Sequence, residues 1–308
     1  MKIIAGVDIG GTNTKVGLID EQGKITKRAR FSTKACPTYE VFIDSISKTI
    51  RDLLAPDDEL VGIGIGAPNG NFYTGCVELA PNMPFKGVLP IRDSLKKTFD
   101  CRIELTNDAN AAAMGEKIYG GAKDYNDFIV ITLGTGVGSG IYCNGQLVYG
   151  HDGHAGELGH VIIYPNGRAC GCGRLGCLEP YANERGIRQT FDELKVDYPD
   201  STLHQEEKIS GYSIAQHAEK GDELGIAVFK KTGEHLGFAF ANFMAYLSPK
   251  VIFLFGGISR AGELIRQPLV ESMESHMLNI YQNKLEVRFS ELPDDDAALL
   301  GAAALVLG

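Results

Sequence analysis

The apolar positions of this chain fall into short runs separated by glycine-rich turns, alternating with stretches of helical spacing. Residues 3–20, IIAGVDIGGTNTKVGLID, comprise an apolar run, a Gly-Gly turn and a second alternating run, the pattern of a β-hairpin. Residues 128–150, FIVITLGTGVGSGIYCNGQLVYG, repeat that plan. The repeat predicts an internal duplication with one copy in each of two lobes. Between the copies, Ile43, Ile46, Ile50 and Leu53 recur at helical spacing over 40–54. LVGIGIGAP (60–68) reads as a buried strand, and CRIELTNDANAAAMGEKIYG (101–120) as strand, polar turn and alanine-rich helix with Asn107 or Asp108 as its cap. Residues 150–183 show no clean period. Residues 210–247 read as helical, with Leu236, Phe240, Phe243 and Leu247 as a buried stripe. VIFLFGGIS (251–259) and VRFSEL (287–292) read as strands, and DDDAALLGAAALVLG (294–308) as a capped helix of small residues. Strands alternating with helices predict an α/β class.

Length and charge narrow the picture. A chain of 308 residues is long for one core, which favours two lobes. Apolar residues make up 44% and charged residues 22%, as in ordinary globular proteins. With 39 acidic against 30 basic residues the formal charge is −9, the wrong sign for gripping a nucleic-acid backbone. No stretch approaches the roughly 20 apolar residues of a membrane span, and MKIIAGVDIGG does not read as a secretory signal. A cytoplasmic location is therefore expected, with cysteines kept as thiols or metal ligands.

Four segments carry candidate chemistry. In DIGGTNTK (8–15), Gly10 and Gly11 let backbone N–H groups approach a phosphate, and Thr12 and Asn13 add polar donors. The spacing matches neither a Walker P-loop nor a dinucleotide-binding fingerprint. LGTGVGSG (133–140) is a second turn of the same kind, with Thr135. Two such turns suit a polyphosphate better than one. In TNDANAAA (106–113), Asp108 at a helix N-terminus is expected to be kept ionised and so to act as a base towards a hydroxyl, with Asn107 beside it to orient the substrate. In ELGHVIIYPNGRACGCGRLGCLE (157–179), His160, Cys170, Cys172 and Cys177 form a closed Cys₃His set of the structural zinc type. A loop pinned by that metal would aim the carboxylates of Glu157 and Glu179. Cys36, Cys76, Cys101 and Cys143 are scattered and read as ordinary thiols.

Together, DIGGTNTK, TNDANAAA, LGTGVGSG, ELGH and CGCGRLGCLE resemble the ROK family of sugar kinases and related repressors, from residue 3 to the last helix. The resemblance implies a two-lobed actin/hexokinase-like (ribonuclease H-like) fold with a cleft between the lobes. The small lobe would run over 1–117 and include the helix at 295–308, with the large lobe over 118–294. It implies an ATP-dependent hexose kinase acting on a primary hydroxyl, with Asp108 as base. Sugar ligands would be Asn82, Asn107, Glu157, His160 and Glu179. The nucleotide and its phosphates would meet Asp8, Gly10, Gly11, Thr12, Asn13, Lys15, Thr135, Gly136, Gly256 and Gly257. Zinc would be structural and Mg²⁺ would arrive with ATP. Hexose and ATP are the expected partners, without nucleic acid or membrane, in a homo-oligomer, a dimer.

Glucose is the expected substrate, because the metal-loop segment resembles glucokinase members of the family. N-acetylglucosamine, N-acetylmannosamine and fructose are the alternatives, and a sugar-responsive repressor is disfavoured by the acidic charge and the early phosphate motif. The chain departs from the family at Asn69 and Asn71, at Phe85, and at Glu184 and Arg185, which stand where small residues are usual. The first two make a different sugar-side loop an expectation.

Overall fold

The computed structural model describes residues 1–293 and 296–308. In chain order the elements begin with β1 (Lys2–Ile9), β2 (Asn13–Ile19), β3 (Ile25–Ser32), α1 (Tyr39–Leu53) and β4 (Glu59–Ala67). Next come β5 (Gly70–Asn71), β6 (Cys76–Glu78), β7 (Val88–Leu89), α2 (Ile91–Lys96), β8 (Arg102–Asn107) and α3 (Asp108–Ile118). Then follow β9 (Phe128–Leu133), β10 (Val137–Cys143), β11 (Gln146–Leu147), α4 (Glu179–Ala182) and α5 (Glu184–Leu194). The chain closes with α6 (Gly211–Glu219), α7 (Glu223–Leu247), β12 (Val251–Phe255), α8 (Glu263–His276), β13 (Glu286–Phe289) and α9 (Ala297–Ala304). Two compact units result: Met1–Asn126 with Gly140–Gly156 and Ser290–Gly308, and Asp127–Ser139 with Glu157–Phe289.

The first unit is built on a five-stranded sheet in the order β3-β2-β1-β4-β8. β1, β2 and β3 pair antiparallel, whereas β4 runs parallel to β1 and β8 parallel to β4. One face carries Ala5, Val7, Val16, Leu18, Ile63 and Ile65, packed with Phe42, Ile43, Ile46 and Ile50 of α1 into one core. On the other face stand Gly6 of β1 and Gly64 of β4, and α9 packs against them. A Cβ on Gly64 would come within 1.8 Å of the Ala302 carbonyl oxygen, and one on Gly6 within 2.3 Å of that of Leu299. Gly6 and Gly64 therefore seat a helix backbone directly on the sheet. α3 packs on α9 through similarly small residues, with Gly301 against the Ala111 carbonyl. Asp296 precedes α9 but makes no side-chain cap bond; its carboxylate pairs with Arg28 at 2.8 Å. The other two aspartates of the expected cap, Asp294 and Asp295, lie outside the described residues.

In the second unit β12 runs parallel to β9 and to β13. These strands belong to a sheet ordered β11-β10-β9-β12-β13. β10 starts in this unit at Val137 and passes into the first, where β11 pairs with its end. β12 stops at Phe255, short of the run expected to 259, because Gly256 turns to φ 104. The helical stretch over 210–247 is two helices, α6 and α7, broken at Lys220–Asp222, where Gly221 takes φ 90 and Asp222 caps α7. Leu236, Phe240 and Phe243 are buried as the stripe predicts. Leu247, at the end of α7, is only half-buried. No helix among the described residues is long and apolar enough to cross a membrane.

Candidate active site

In the first unit, β1 delivers Asp8 to a tight turn closed by Gly10 N–H donating to the Asn13 carbonyl at 3.0 Å. The amides of Gly11 and Thr12 donate to no acceptor among the described residues, so two successive N–H groups are available to an anion. Gly11 is glycine for a further reason: a Cβ there would sit 2.1 Å from the Asn82 carbonyl oxygen. That contact brings the exposed Asn82 beside the turn. Thr12, Asn13 and Lys15 are exposed, and Lys15 Nζ lies 3.7 Å from Asp8 Oδ2.

β8 runs into α3 at Asn107, which is the cap: its Oδ1 accepts from Asn110 N–H at 2.6 Å. Asp108 is the first residue of α3, and its Oδ1 accepts from Ala109 N–H at 2.9 Å. That bond favours the charged form, as a helix N-terminus should. Burial wins nevertheless and pushes the carboxyl above its usual range. The helix terminus and burial thus act on Asp108 in opposite directions. The side chain's surface stays open to water, which screens the effect. Asp8 is also pushed up, by burial first and by the charge of Asp108 as well, while Lys15 pulls it down. Two carboxyls thus repel each other at the strand ends.

The neighbouring loop uses its unusual asparagines for architecture. Asn71 is 2% exposed. Its Oδ1 accepts from Tyr73 N–H at 3.0 Å and Thr74 N–H at 3.3 Å, and its Nδ2 donates to the Asp152 carbonyl at 2.7 Å. Asn69 takes φ 49 and donates to the Glu78 carbonyl. Phe85 packs on Phe42, with ring centres 5.3 Å apart. These three departures take part in building the first unit.

In the second unit the turn after β9 mirrors the first. Gly134 N–H donates to Gly136 O at 3.0 Å, and the amides of Thr135 and Gly136 meet no acceptor among the described residues. Gly256 packs from one side, since a Cβ there would lie 2.4 Å from Leu133 O. The metal-loop segment packs from another: a Cβ on Gly159 would lie 2.0 Å from Val137 O, and Leu158 N–H donates to Ser139 Oγ at 3.2 Å. Glu157 is exposed just before this contact. Glu179 is more constrained than a free sugar ligand, because its Oε2 accepts from Val137 N–H at 3.2 Å and its Oε1 lies 3.6 Å from Cys170 Sγ.

His160, Cys170, Cys172 and Cys177 converge, with ligand atoms within 4.8 Å of one another, as a group that can hold a metal ion. Their loop is a small hairpin held by Ile163 N–H to Gly176 O and Gly176 N–H to Arg168 O, both at 2.8 Å. Burial disfavours the Cys172 thiolate, but hydrogen bonds from the Arg174 amide and guanidinium and from the Cys170 and Cys177 thiols outweigh it and bring the pKa down to about 6. Asn183, which the sequence did not single out, positions the second glycine turn. It caps α5 through Gly186 N–H and donates to the Thr135 carbonyl at 3.1 Å, fixing the second glycine turn. An Asn directly before a run of helical spacing is the signal that could have revealed it.

The ROK family matches residues 4–308, and the chain belongs to that family. A glucokinase of Thermotoga maritima is 35% identical over 311 residues, spanning 99% of this chain and 97% of the relative. A ROK family glucokinase from Streptomyces griseus, solved with glucose and AMPPNP, superposes with a TM-score of 0.82 at 31% identity, over 98% of each chain. A xylose repressor of Caldicellulosiruptor bescii is 30% identical over 99% of this chain and 78% of its own length. The fold is accordingly the two-lobed actin-like α/β fold of the family's kinases.

Proposed function

We propose that the chain phosphorylates glucose at O6 with ATP. The single observation that carries the kinase reading is the pair of glycine turns, each presenting two successive unpaired N–H groups, with Asp108 on the first unit as an acceptor of the hydroxyl proton. The glucokinase relatives supply the choice of sugar.

Asp108 takes the proton of the attacking hydroxyl as the γ-phosphoryl group leaves ADP, and its raised pKa makes it a stronger base than an ordinary aspartate. Asn107 keeps Nδ2 free to donate, since only its Oδ1 is used by the cap. The backbone N–H groups of Gly11, Thr12, Thr135 and Gly136 hold the charge that spreads over the phosphoryl oxygens. Asp8, repelled by Asp108, suits the Mg²⁺ that enters with ATP, because a divalent cation relieves that repulsion. Asn82, Glu157, His160 and Glu179 serve the sugar.

Zinc is the ion that the Cys₃His group suits. Tetrahedral Zn–S and Zn–N bonds place two sulfurs about 3.8 Å apart, and sulfur and nitrogen about 3.6 Å apart. Cys172 and Cys177 Sγ lie 3.7 Å apart, and Cys170 Sγ lies 3.5 Å from His160 Nδ1. His160, Cys170, Cys172 and Cys177 would fill all four positions of such an ion, which would then supply cross-linking and not chemistry.

An ADP-release assay over a panel of hexoses tests the function. Glucose should exceed N-acetylglucosamine, N-acetylmannosamine and fructose in kcat/KM by about 10-fold or more, because carboxylate acceptors reward free hydroxyl donors and an acetamido group replaces one of them with bulk. A higher value for an acetylated sugar would overturn glucose while leaving the kinase intact. The same assay against pH should show an acid limb. Only ionised Asp108 accepts a proton, and burial raises its pKa, so kcat/KM should begin to fall above the ordinary aspartate value of about 3.9. A limb at or below that value would show that Asp108 is not the titrating base.

A further inference from the structure

Glu184 opens α5, and its backbone N–H donates to the Gly134 carbonyl of the second glycine turn at 2.9 Å. Its carboxylate is half used. Oε1 accepts from Gly211 N–H, the first amide of α6, at 2.9 Å, whereas Oε2 has no hydrogen-bond partner among the described residues. Gly211 leaves room for that second oxygen: a Cβ there would lie 2.8 Å from Oε2. The carboxylate is therefore held in place with one oxygen still able to accept. Around it the turn is open, since a Cβ built on Gly134 or on Gly257 meets nothing within 4 Å. α6 also packs against the short turn Gly257–Ala261. Gly134, Gly257 and Glu184 thus border one stretch of open backbone within the second unit.

We propose that Glu184 reads the ribose of the nucleotide: its Oε2 accepts a ribose hydroxyl of a nucleoside triphosphate whose phosphates lie on the amides of Thr135 and Gly136. This rests on the kinase reading above for the placement of the phosphates. The sign of the charge selects the ribose as the part recognised. A carboxylate beside phosphate oxygens would repel them, whereas a ribose hydroxyl donates to it. Glu184 stands on the carbonyl side of the turn, through Gly134 O, and the free amides belong to the next two residues. A hydrogen bond to a charged acceptor is strong enough to separate a ribonucleotide from its deoxy analogue by about 10- to 100-fold.

Calorimetric binding of ATP, 2′-deoxy-ATP and 3′-deoxy-ATP to the wild-type protein and to Glu184→Gln tests this without needing turnover. Glutamine keeps the oxygen that caps α6 and loses the charged second acceptor. The wild type should bind ATP about 10-fold or more tighter than at least one deoxy analogue, and Glu184→Gln should reduce that ratio to within about two-fold, a residue too small for a charged hydrogen bond. Glucose KM should not change in the variant. Glu184→Asp, whose shorter side chain cannot both cap α6 and reach the ribose, should also lose the ratio. Equal binding of all three nucleotides by the wild type, or a full ratio kept by Glu184→Gln, overturns the proposal. Ribose-dependent binding without glucose phosphorylation would overturn the kinase reading and leave the ribose contact standing. No ATP binding at all would overturn both.

Discussion

Asp108→Asn should lower kcat for glucose phosphorylation by ~10²–10⁴-fold, the usual contribution of a positioned base, while glucose affinity stays within a few-fold. The substitution is nearly isosteric, and an amide oxygen at the same place still accepts from Ala109 N–H, as Asp108 Oδ1 does at 2.9 Å. The helix cap is untouched, because it belongs to Asn107. What is lost is the acceptor of the hydroxyl proton. The fold should not suffer, since burial already disfavours the charge on Asp108 and that charge also repels Asp8. Single-turnover ADP formation measures the chemical step, and calorimetry with glucose measures binding. A drop of less than about ten-fold in the chemical step would fall below the range of a base and remove Asp108 from that role. A parallel loss of glucose binding would make it a sugar ligand instead.

The second large effect is expected at the metal loop. Cys172→Ser should remove a stoichiometric zinc ion and lower kcat/KM for glucose by ~10²-fold, the scale on which a displacement of about 1 Å acts in an active site. The unit as a whole should remain folded. The loop has its own backbone bonds, including Leu178 N–H to Val161 O at 2.9 Å and Cys170 N–H to Arg174 O at 2.9 Å. Arg174 additionally donates to the His160 carbonyl at 2.8 Å. Losing the metal therefore frees His160 and loosens Glu179, whose Oε1 lies beside Cys170, without unravelling the core. Wild-type protein stripped by a chelator should behave as the variant does, and added zinc should rescue the stripped wild type but not Cys172→Ser. Wild-type protein purified without chelator and free of zinc would refute the metal assignment. A Cys172→Ser protein with full activity would refute its coupling to the sugar.

Much of this molecule was legible along the chain. The repeated hairpin plan at 3–20 and 128–150 anticipated β1–β2 and β9–β10, since a tight glycine turn between apolar runs is a local signal. The Cys₃His spacing anticipated a cluster that the structure gathers within 4.8 Å, because closely spaced ligands in one loop have little freedom to separate. The α1 stripe and the strand-to-helix junction at Asn107 were readable for the same local reason.

Tertiary structure decided the rest. The alternating glycines of β4 looked like an ordinary buried strand, and only the approach of α9 to Gly64 explains them. Asn69 and Asn71 stood out as departures that suggested a changed sugar site, yet Asn71 spends its amide on Asp152, far along the chain. The upward shift of Asp108 comes from surrounding protein that no local window contains, and it outweighs the helix terminus that the sequence does show. Glu184 and Asn183 gained their meaning from Gly211, Gly134 and Thr135, which lie in separate segments. Residue spacing by itself marked the repeated hairpins, α1, the junction at Asn107, the glycine turns and the Cys₃His set, because periodicity, turn chemistry and close ligand spacing act over a few residues. Which carboxylate is shifted, which polar group is already spent and which oxygen is left to bind were settled only by packing, because desolvation and hydrogen-bond competition depend on neighbours that folding brings from elsewhere.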